Sequence, residues 1–233
     1  MNPFLLFDLY GTLIDIEVDE ENESVFKFIS KWLNAQGFKV MPKKLAFLYK
    51  SCIENIRKSK RDKINEYEIT SIFYDVIKSL NPEKRPKRLS ECAARIFRVM
   101  TTRYINLFDE TFELLKRAKK RGVKVGIIAN AQRFNAEAEI EMFNISKYVD
   151  YSVFSSDVGT KMPDPSIFSK AKSDFCCDAK SIYFITSHLK NNVESFNKYG
   201  IETIRVIPNK GFGYKNKVLS ADEVLELITG KDR

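Results

Sequence analysis

The chain has 233 residues, of which 44% are apolar and 30% charged, and its formal net charge at pH 7 is +8. These proportions are typical of a soluble globular protein, and no apolar run approaches the roughly 20 residues needed to cross a bilayer. No basic segment followed by an apolar stretch opens the sequence, so we expect no secretory signal. We therefore expect a cytoplasmic protein without a membrane partner.

The four cysteines are Cys52, Cys92, Cys176 and Cys177, and their spacing is not that of a metal site. The last two are adjacent and fall in a predicted helix. We interpret all four as reduced, partly buried thiols, in agreement with a cytoplasmic location.

Basic residues cluster at three places, which are residues 57–63, 84–88 and 116–121. Such clusters can attract nucleic acid or steer anionic substrates. None of them interleaves aromatic with basic side chains, as a platform for stacked bases does. We interpret them as a solvated surface and do not expect nucleic acid as a partner.

Asp8 follows a short apolar run, Phe4–Phe7, that predicts a buried strand. In open α/β sheets, ligands bind outside the carboxyl ends of the strands. A carboxylate at that position, followed closely by Gly11 and Thr12, is suitably placed to act as a nucleophile. Asp8 is therefore the first candidate for a catalytic residue.

Four consecutive segments between residues 15 and 106 repeat the apolar period of an α-helix. Gly37 and the region of Pro82 and Pro86 separate them. No strand pattern interrupts this block. It predicts a bundle of helices inserted after the first strand.

From Asp109 onward, helices and apolar strands alternate, which predicts a parallel sheet with right-handed crossovers. A capping box at Ser220 marks the start of the final helix. The predicted strands cover residues 123–128, 151–154, 182–185 and 203–207. The predicted helices follow Asp109, run from about 136 to 143, follow Pro165, run from about 193 to 199 and begin at Ser220.

The string from Asp8 to Asp15, D-x-Y-G-T-L-x-D, resembles the first motif of the haloacid dehalogenase superfamily. Tyr10 replaces a second aspartate, as is typical of the 2-haloacid dehalogenase branch. The order of elements also resembles this family. The resemblance implies an α/β fold whose Rossmann-like parallel sheet core, residues 1–15 and 107–233, carries an inserted α-helical cap, residues 16–106.

The resemblance assigns roles around the first strand. Asp8 would attack the substrate and form a covalent intermediate, while Thr12 would help to hold the loop and the substrate. Tyr10 stands where phosphatases of the family carry an acid–base aspartate, and a tyrosine, with a reference pKa of about 10, cannot replace it near neutral pH. This position disfavours phosphate-ester turnover. We also expect Leu9 to contribute to substrate binding.

The second and third motifs are incomplete. Asn130 matches the asparagine expected in the second motif and could bind a substrate carboxylate or phosphate, together with Ala131, or could simply form a turn. Ala129 replaces the usual hydroxyl residue. The string around Lys161 resembles the third motif, but the family's lysine usually stands one position later, at Met162. Lys161 is the candidate for offsetting the negative charge, or else an exposed lysine.

The fourth motif departs most from the family pattern. Thr186, Ser187 and His188 resemble the Ser-Ser-Asn of metal-free haloacid dehalogenases, and no carboxylate follows until Glu194. We therefore expect no cofactor and no bound Mg²⁺, which requires oxygen ligands. Ser187 and Asn191 are candidates for substrate binding. His188 could deprotonate the hydrolytic water or merely donate a hydrogen bond.

These features favour a hydrolase that resembles metal-independent 2-haloacid dehalogenases and acts on a small anionic substrate. A catalytically degraded protein that binds a small anion or a partner is an alternative, as is a phosphatase with an atypical site. No residue convincingly matches the arginine that receives the leaving halide in haloacid dehalogenases. The corresponding stretch has Lys43, Lys44 and Lys50, with Arg57 farther on. A helical cap can support a homodimer.

Overall fold

The computed structural model describes residues 3–59, 66–175, 181–187, 196, 199–207, 210–214 and 217–230. In these ranges, no helix combines the length and the apolar character that a membrane span requires. The predicted helix at 193–199 lies outside the described residues except for its positions 196 and 199, and Cys176 and Cys177 lie outside them as well.

A seven-stranded sheet forms the centre of the molecule. Its strands are β1 (Phe4–Phe7), β4 (Lys124–Ala129), β5 (Tyr151–Phe154), β6 (Ile182–Thr186), β7 (Ile201–Ile207), β8 (Gly211–Tyr214) and β9 (Lys217–Leu219). The order is β5-β4-β1-β6-β7-β8-β9, and the first five are parallel. The four strands expected to carry the motifs are therefore neighbours, with β1 inside the sheet.

Strand β1 is apolar throughout because both of its faces are covered. Leu5 and Phe7 point into one apolar cluster, and Phe4 and Leu6 point into another. The flanking helices are α5 (Asp109–Lys120), α6 (Arg133–Met142), α7 (Ser155–Val158), α8 (Pro165–Asp174) and α9 (Ala221–Thr229), with a short 3₁₀ turn at Ser146–Tyr148. The predicted α/β class is confirmed.

The capping box at the start of α9 is present as predicted. The Ser220 hydroxyl accepts from the Glu223 N–H, while the Glu223 carboxylate accepts from the Ser220 N–H. These two bonds satisfy donors that would otherwise have no partner within the helix.

Four helices form the insertion after the first strand. They are α1 (Ser24–Ala35), α2 (Pro42–Ser59), α3 (Ile69–Leu80) and α4 (Pro86–Thr101). Their inward faces build a separate apolar cluster in which the rings of Phe26, Tyr49, Phe73 and Phe97 pack together. This bundle, residues 24–101, is called the helical insertion below.

An antiparallel ribbon that the sequence did not predict leads into and out of the helical insertion. It pairs β2 (Ile14–Val18) with β3 (Thr102–Leu107). In β2, Ile14, Ile16 and Val18 alternate with acidic residues, but a run this short does not stand out beside strong helical periods. Asp15 pairs with Asn106 in the ribbon, so the predicted boundaries between core and cap fall within it. That division remains a prediction.

The prediction that β7 is the last strand was wrong. Strands β8 and β9 continue the sheet in antiparallel fashion before α9 begins. At the start of β8, Gly211 has a φ of +102°, and a Cβ there would lie 2.5 Å from the Leu219 carbonyl oxygen. Only glycine fits this close approach, and the two glycines of β8 weaken its strand pattern.

Two surface predictions can be compared with the structure. Cys92 is exposed, contrary to the prediction of partly buried thiols, because it lies on the outer face of α4, while Cys52 is half-buried and free. In the basic cluster at 116–121, Arg117 and Arg121 both bind Asp222, and Lys119 binds Asp150. Much of that positive charge is therefore paired within the protein.

Candidate active site

Asp8 lies at the carboxyl end of β1, in the middle of the sheet edge. Its N–H donates to the Ile185 carbonyl at 2.9 Å, which continues the pairing with β6. One carboxylate oxygen accepts the Leu9 N–H at 2.8 Å, and the other accepts the Thr186 hydroxyl at 3.1 Å. The residue is 9% exposed. Two donors thus fix the orientation of a nearly buried carboxylate.

The loop after Asp8 is tied to the end of β6. Gly11 has a φ of +74°, which lets the chain turn directly after the strand. Its carbonyl accepts the Ser187 hydroxyl at 2.6 Å, and the Ser187 N–H donates to the Thr12 hydroxyl oxygen at 3.1 Å. Thr12 is fully buried. The structure therefore brings Thr12 and Ser187 together beside Asp8, where both hold the loop.

Leu9 has no exposed surface, and its side chain belongs to the apolar cluster beneath the sheet. Its N–H is already bonded to Asp8. Its predicted contribution to substrate binding is therefore not visible in the side chain.

Tyr10 is part of a buried polar group that joins the core to the helical insertion. Its hydroxyl donates to Glu139 Oε2 at 2.6 Å, and Arg98 binds the same carboxylate through Nε at 2.6 Å and Nη2 at 3.2 Å. The Arg98 guanidinium also lies 5.5 Å from the centre of the Tyr10 ring. Burial and the nearby Glu139 carboxylate raise the pKa of Tyr10. Tyr10 is therefore a neutral phenol that cannot replace an acid–base aspartate.

Sequence reasoning missed both Arg98 and Glu139. Burial alone would lower the pKa of Arg98, but the bond to Glu139 and the neighbouring negative charges raise it instead. Glu139 has a recognisable signal, since it shares the buried face of α6 with Ala136 and Ile140. Arg98 has none, because it is one of several arginines in α4.

Asn130, which follows β4, connects two loops. Its side-chain oxygen accepts the Met162 N–H at 2.6 Å, and its side-chain amide donates to the Met162 carbonyl at 3.3 Å. The Ala131 carbonyl accepts the Ser155 hydroxyl at 3.1 Å. Through these contacts Asn130 helps to hold the loop that carries Lys161. One hydrogen of its side-chain amide remains for a ligand.

Lys161 points toward the helical insertion despite its shifted position in the third motif. Its Nζ lies 3.6 Å from Glu66 Oε2, and that oxygen also accepts the Ser155 hydroxyl at 2.6 Å. The Glu66 side chain is 4% exposed, and its N–H donates to the Gly159 carbonyl at 3.2 Å. The sequence patterns did not indicate Glu66 as a residue of the site. It partly neutralises the lysine that the motif predicted.

A cavity of about 280 Å³ lies between the carboxyl edge of the sheet and the helical insertion. It is called the central cavity below. The described residues that line it are Tyr10, Ile16, Val18, Glu20, Glu66, Tyr67, Arg98, Asn130, Ala131, Gln132, Asn135 and Lys161. Burial and the charges of Glu20 and Glu66 raise the pKa of Tyr67 to about 12. The cavity thus has walls of mixed charge.

The predicted site residues are only partly assembled around this cavity. Tyr10, Asn130, Ala131 and Lys161 line it, whereas Asp8 is not among its described lining residues. Thr12 and Ser187 lie at the loop that follows Asp8 and are hydrogen-bonded to each other. His188 and Asn191 lie outside the described residues.

The basic residues considered for halide binding do not reach the central cavity. Lys43, Lys44, Lys50 and Arg57 all lie in α2, and none of them lines it. Lys50 instead lies 3.3 Å from Glu23 at the surface. Arg98 is the arginine of the helical insertion that lines the cavity.

The donor groups at the strand ends do not fit a magnesium ion among the residues that the structure describes. No group of three or more potential metal-ligating side chains occurs there. Tyr10, two positions after Asp8, has its hydroxyl bound to Glu139. Strand β6 ends at Thr186, and Ser187, another hydroxyl residue, follows it. Mg²⁺ prefers carboxylate oxygens in octahedral geometry, which this set does not supply.

The fold and the strand-end loops define a member of a known class of hydrolases. The family model of haloacid dehalogenase-like hydrolases matches residues 4–194. The chain therefore belongs to the haloacid dehalogenase-like hydrolases, as the sequence motifs implied.

Similar solved structures agree with the fold. A 2-haloacid dehalogenase from Pseudomonas syringae pv. Tomato DC3000 superimposes with a TM-score of 0.64 at 16% identity, covering 99% of this chain and 100% of that one. A HAD phosphatase from Thermococcus onnurineus has a TM-score of 0.54 at 18% identity over 100% of both chains. At such identities the likeness concerns the fold alone.

Among curated proteins, a glyceraldehyde 3-phosphate phosphatase from Pyrococcus abyssi (strain GE5 / Orsay) is 25% identical over 92 residues. The match covers 40% of this chain and 39% of that protein. The chain thus aligns with about two fifths of the length of this relative.

Proposed function

We propose that this hydrolase uses Asp8 as a nucleophile on a small 2-substituted carboxylate, of which a 2-chloro acid is the model substrate, without a metal ion. The observation that carries the proposal is the geometry of Asp8. Its carboxylate lies at the carboxyl end of an inner parallel strand and is oriented by the Leu9 N–H and the Thr186 hydroxyl. An oriented carboxylate at this edge is a competent nucleophile for displacement at carbon.

The reaction would take two steps. In the first, an Asp8 oxygen forms a bond to C2 of the substrate, the carbon–chlorine bond breaks, and chloride departs with the electron pair. In the second, water attacks the Asp8 carboxyl carbon, which releases the 2-hydroxy acid and regenerates the carboxylate. His188, the proton acceptor suggested by the sequence, would take one proton from the water and return it to the oxygen of the departing hydroxy acid. The second proton of the water would leave to solvent as Asp8 returns to its carboxylate form.

The helical insertion would act as the cap of this enzyme. Lys161 and Arg98 supply positive charge to the wall of the central cavity, where a substrate carboxylate needs it. Both cations already have a carboxylate partner, Glu66 and Glu139 respectively. This pairing limits the attraction of the cavity for anions. It favours a singly charged substrate over a doubly charged phosphate ester.

Chloride release from 2-chloropropionate in the presence of a metal chelator tests the proposal. We expect turnover by the unaltered protein and at least about a thousandfold loss in Asp8→Asn, as removal of a catalytic nucleophile typically causes. Asp15→Asn is the matched control, because Asp15 belongs to the same motif but contacts Tyr104 in the ribbon. Equal activity of both variants would contradict the assignment of Asp8.

A phosphatase is the second candidate, and the curated relative supports it, since that protein is named as a phosphatase of glyceraldehyde 3-phosphate. Hydrolysis of an aryl phosphate that requires added Mg²⁺ would make this candidate the first. If neither substrate reacts but a small anion raises the melting temperature, the chain is instead a binding protein that retains the fold.

A further inference from the structure

A second cavity lies on the outer side of the Arg98–Glu139 ion pair. It has a volume of about 430 Å³ and is formed by the C-terminal part of α4, the strand β3 and the helix α6. Val99, Ile105, Phe134 and Met142 supply apolar surface, and Arg95 and Arg103 supply positive charge. We call this cavity the outer groove. Its volume falls within the range of small-molecule sites.

The apolar walls of the outer groove are unusually accessible. Val99 is 73% exposed and Met142 is 55% exposed. Tyr104, 43% exposed, lies at the same groove. Single exposed apolar side chains are normal, but their convergence on one concavity is typical of a binding site.

The charges of the outer groove favour an anion. Arg98 is bound to Glu139, and Arg103 lies 2.7 Å from Glu17 and 2.9 Å from Asp19. Arg95 has no carboxylate within ion-pair distance in the part of the chain that the structure describes. Its guanidinium lies over the Phe134 ring, 4.7 Å from the centre. A cation held on an aromatic ring at the edge of an apolar groove is well placed to receive an anionic head group.

We propose that the outer groove binds a singly charged anionic amphiphile, namely an aliphatic chain that ends in a carboxylate. The chain lies along Val99 and Met142, and the carboxylate pairs with Arg95. Burying the aliphatic chain against these walls supplies the affinity, and the guanidinium selects the sign of the charge. Arg98 and Asn135 line both this groove and the central cavity and so lie between them. The proposed contacts of the amphiphile do not include Asp8, so this proposal does not rest on the proposed hydrolysis.

Calorimetric titration of the full chain with decanoate, below its micelle concentration, tests this proposal. We expect saturable binding of one decanoate per chain. Decyltrimethylammonium, which has the same aliphatic chain and the opposite charge, should bind at least about tenfold more weakly.

Two substitutions should weaken decanoate binding. Met142→Glu places a carboxylate in the apolar wall and should raise Kd at least about tenfold, and Val99→Glu provides an independent version of that change. Arg95→Met removes the guanidinium and should raise Kd about fivefold. The matched controls are Phe47→Glu and Arg88→Met, which alter an exposed apolar residue of α2 and an exposed arginine of α4 outside the groove.

Three results would overturn the proposal. They are binding that is equally strong for the cationic analogue, binding that the groove and control variants weaken equally, and no saturable binding at all. Sedimentation of the unaltered protein adds a separate outcome. A dimer that Met142→Glu dissociates would mean that a second copy of the chain, and not an amphiphile, occupies the outer groove.

Discussion

The carboxyl edge of the sheet around Asp8, called the strand side below, and the face of the helical insertion that lines the central cavity are built in different ways. On the strand side, Asp8, Thr12 and Asn130 are fixed by short hydrogen bonds to neighbouring loops and to the main chain. On the side of the helical insertion, Arg98 and Glu66 are fixed by charged partners, Glu139 and Lys161, that belong to the core. The sheet thus positions the strand side. Ion pairs between the helical insertion and the core, called the crossing ion pairs below, position the other side.

This difference indicates a division of labour. Residues held by a parallel sheet keep one geometry, as a nucleophile requires. Residues held by ion pairs across an interface can be lost when the interface changes, and each leaves a buried charge behind. We expect substitutions on the strand side to reduce activity, and substitutions in the crossing ion pairs to reduce stability.

The largest stability effect is expected at Glu139. Glu139→Gln leaves Arg98 largely buried without a charged partner and should lower the free energy of unfolding by about 3 kcal/mol. The side chains of Arg98 and Glu139 are 18% and 9% exposed. Urea denaturation measures the effect. The control is Glu137→Gln, whose pair with Arg133 lies at the surface and should contribute less than about 1 kcal/mol.

Equal losses in Glu139→Gln and Glu137→Gln would remove the distinction between crossing and surface ion pairs. The double variant Arg98→Met, Glu139→Gln sharpens the comparison. It should recover part of the stability, because no uncompensated charge remains.

On the strand side, Thr186→Val removes the hydroxyl that donates to Asp8 and keeps the side-chain shape. We expect chloride release to fall at least about tenfold, since one hydrogen bond to a charged group contributes roughly 1.5–3 kcal/mol. Thr101→Val is the control, because the Thr101 hydroxyl is also buried but donates to the Phe97 carbonyl in α4. Similar activity in the two variants would mean that the orientation of Asp8 does not depend on this donor.

Glu66→Gln tests whether the crossing ion pair also limits anion binding. The substitution keeps an acceptor for the Ser155 hydroxyl but removes the charge that faces Lys161. We expect a loss of about 1 kcal/mol in stability and a severalfold lower KM for an anionic substrate. Glu20→Gln, which alters an exposed carboxylate of the central cavity, is the control. An unchanged KM in Glu66→Gln would show that Lys161 does not contact the substrate.

Asp150 provides a reference away from both sides of the central cavity. Its burial raises the pKa, but the bonds from Lys119 and from the Val125 N–H outweigh that effect, so the pKa of Asp150 is lowered. The stabilisation is therefore complete above the unfolded pKa of about 4 and is lost as the pH falls through the lower folded value. Asp150→Asn should be about 1 kcal/mol less stable than the unaltered protein at pH 7.

Urea denaturation at pH 7 and pH 3 measures this dependence on Asp150. The difference between Asp150→Asn and the unaltered protein should shrink at pH 3, because Asp150 then binds a proton more readily in the unfolded chain than in the native protein, where its pKa is lowered. A difference that stays constant or grows toward low pH would contradict the assigned direction of the pKa shift.

The sequence indicated which residues follow the strands, but it did not indicate the partners that the helical insertion supplies, and the reason is physical. Asp8 directly follows β1, so a local apolar pattern is enough to predict its place at a strand end. Arg98 and Glu139 are 41 residues apart in the chain, and no local pattern brings them into contact. The ribbon formed by β2 and β3 was missed for a similar reason, since its pairing connects segments on either side of four helices.

The most direct test of the central claim is mass spectrometry of Asp8 after turnover in ¹⁸O-labelled water. If Asp8 forms an ester that water hydrolyses at the carboxyl carbon, the fragment that contains Asp8 gains ¹⁸O, while Asp15 in the same peptide stays unlabelled. If label enters only the hydroxy acid and Asp8 keeps its original oxygens, water attacks the substrate directly. That result would contradict nucleophilic catalysis by Asp8.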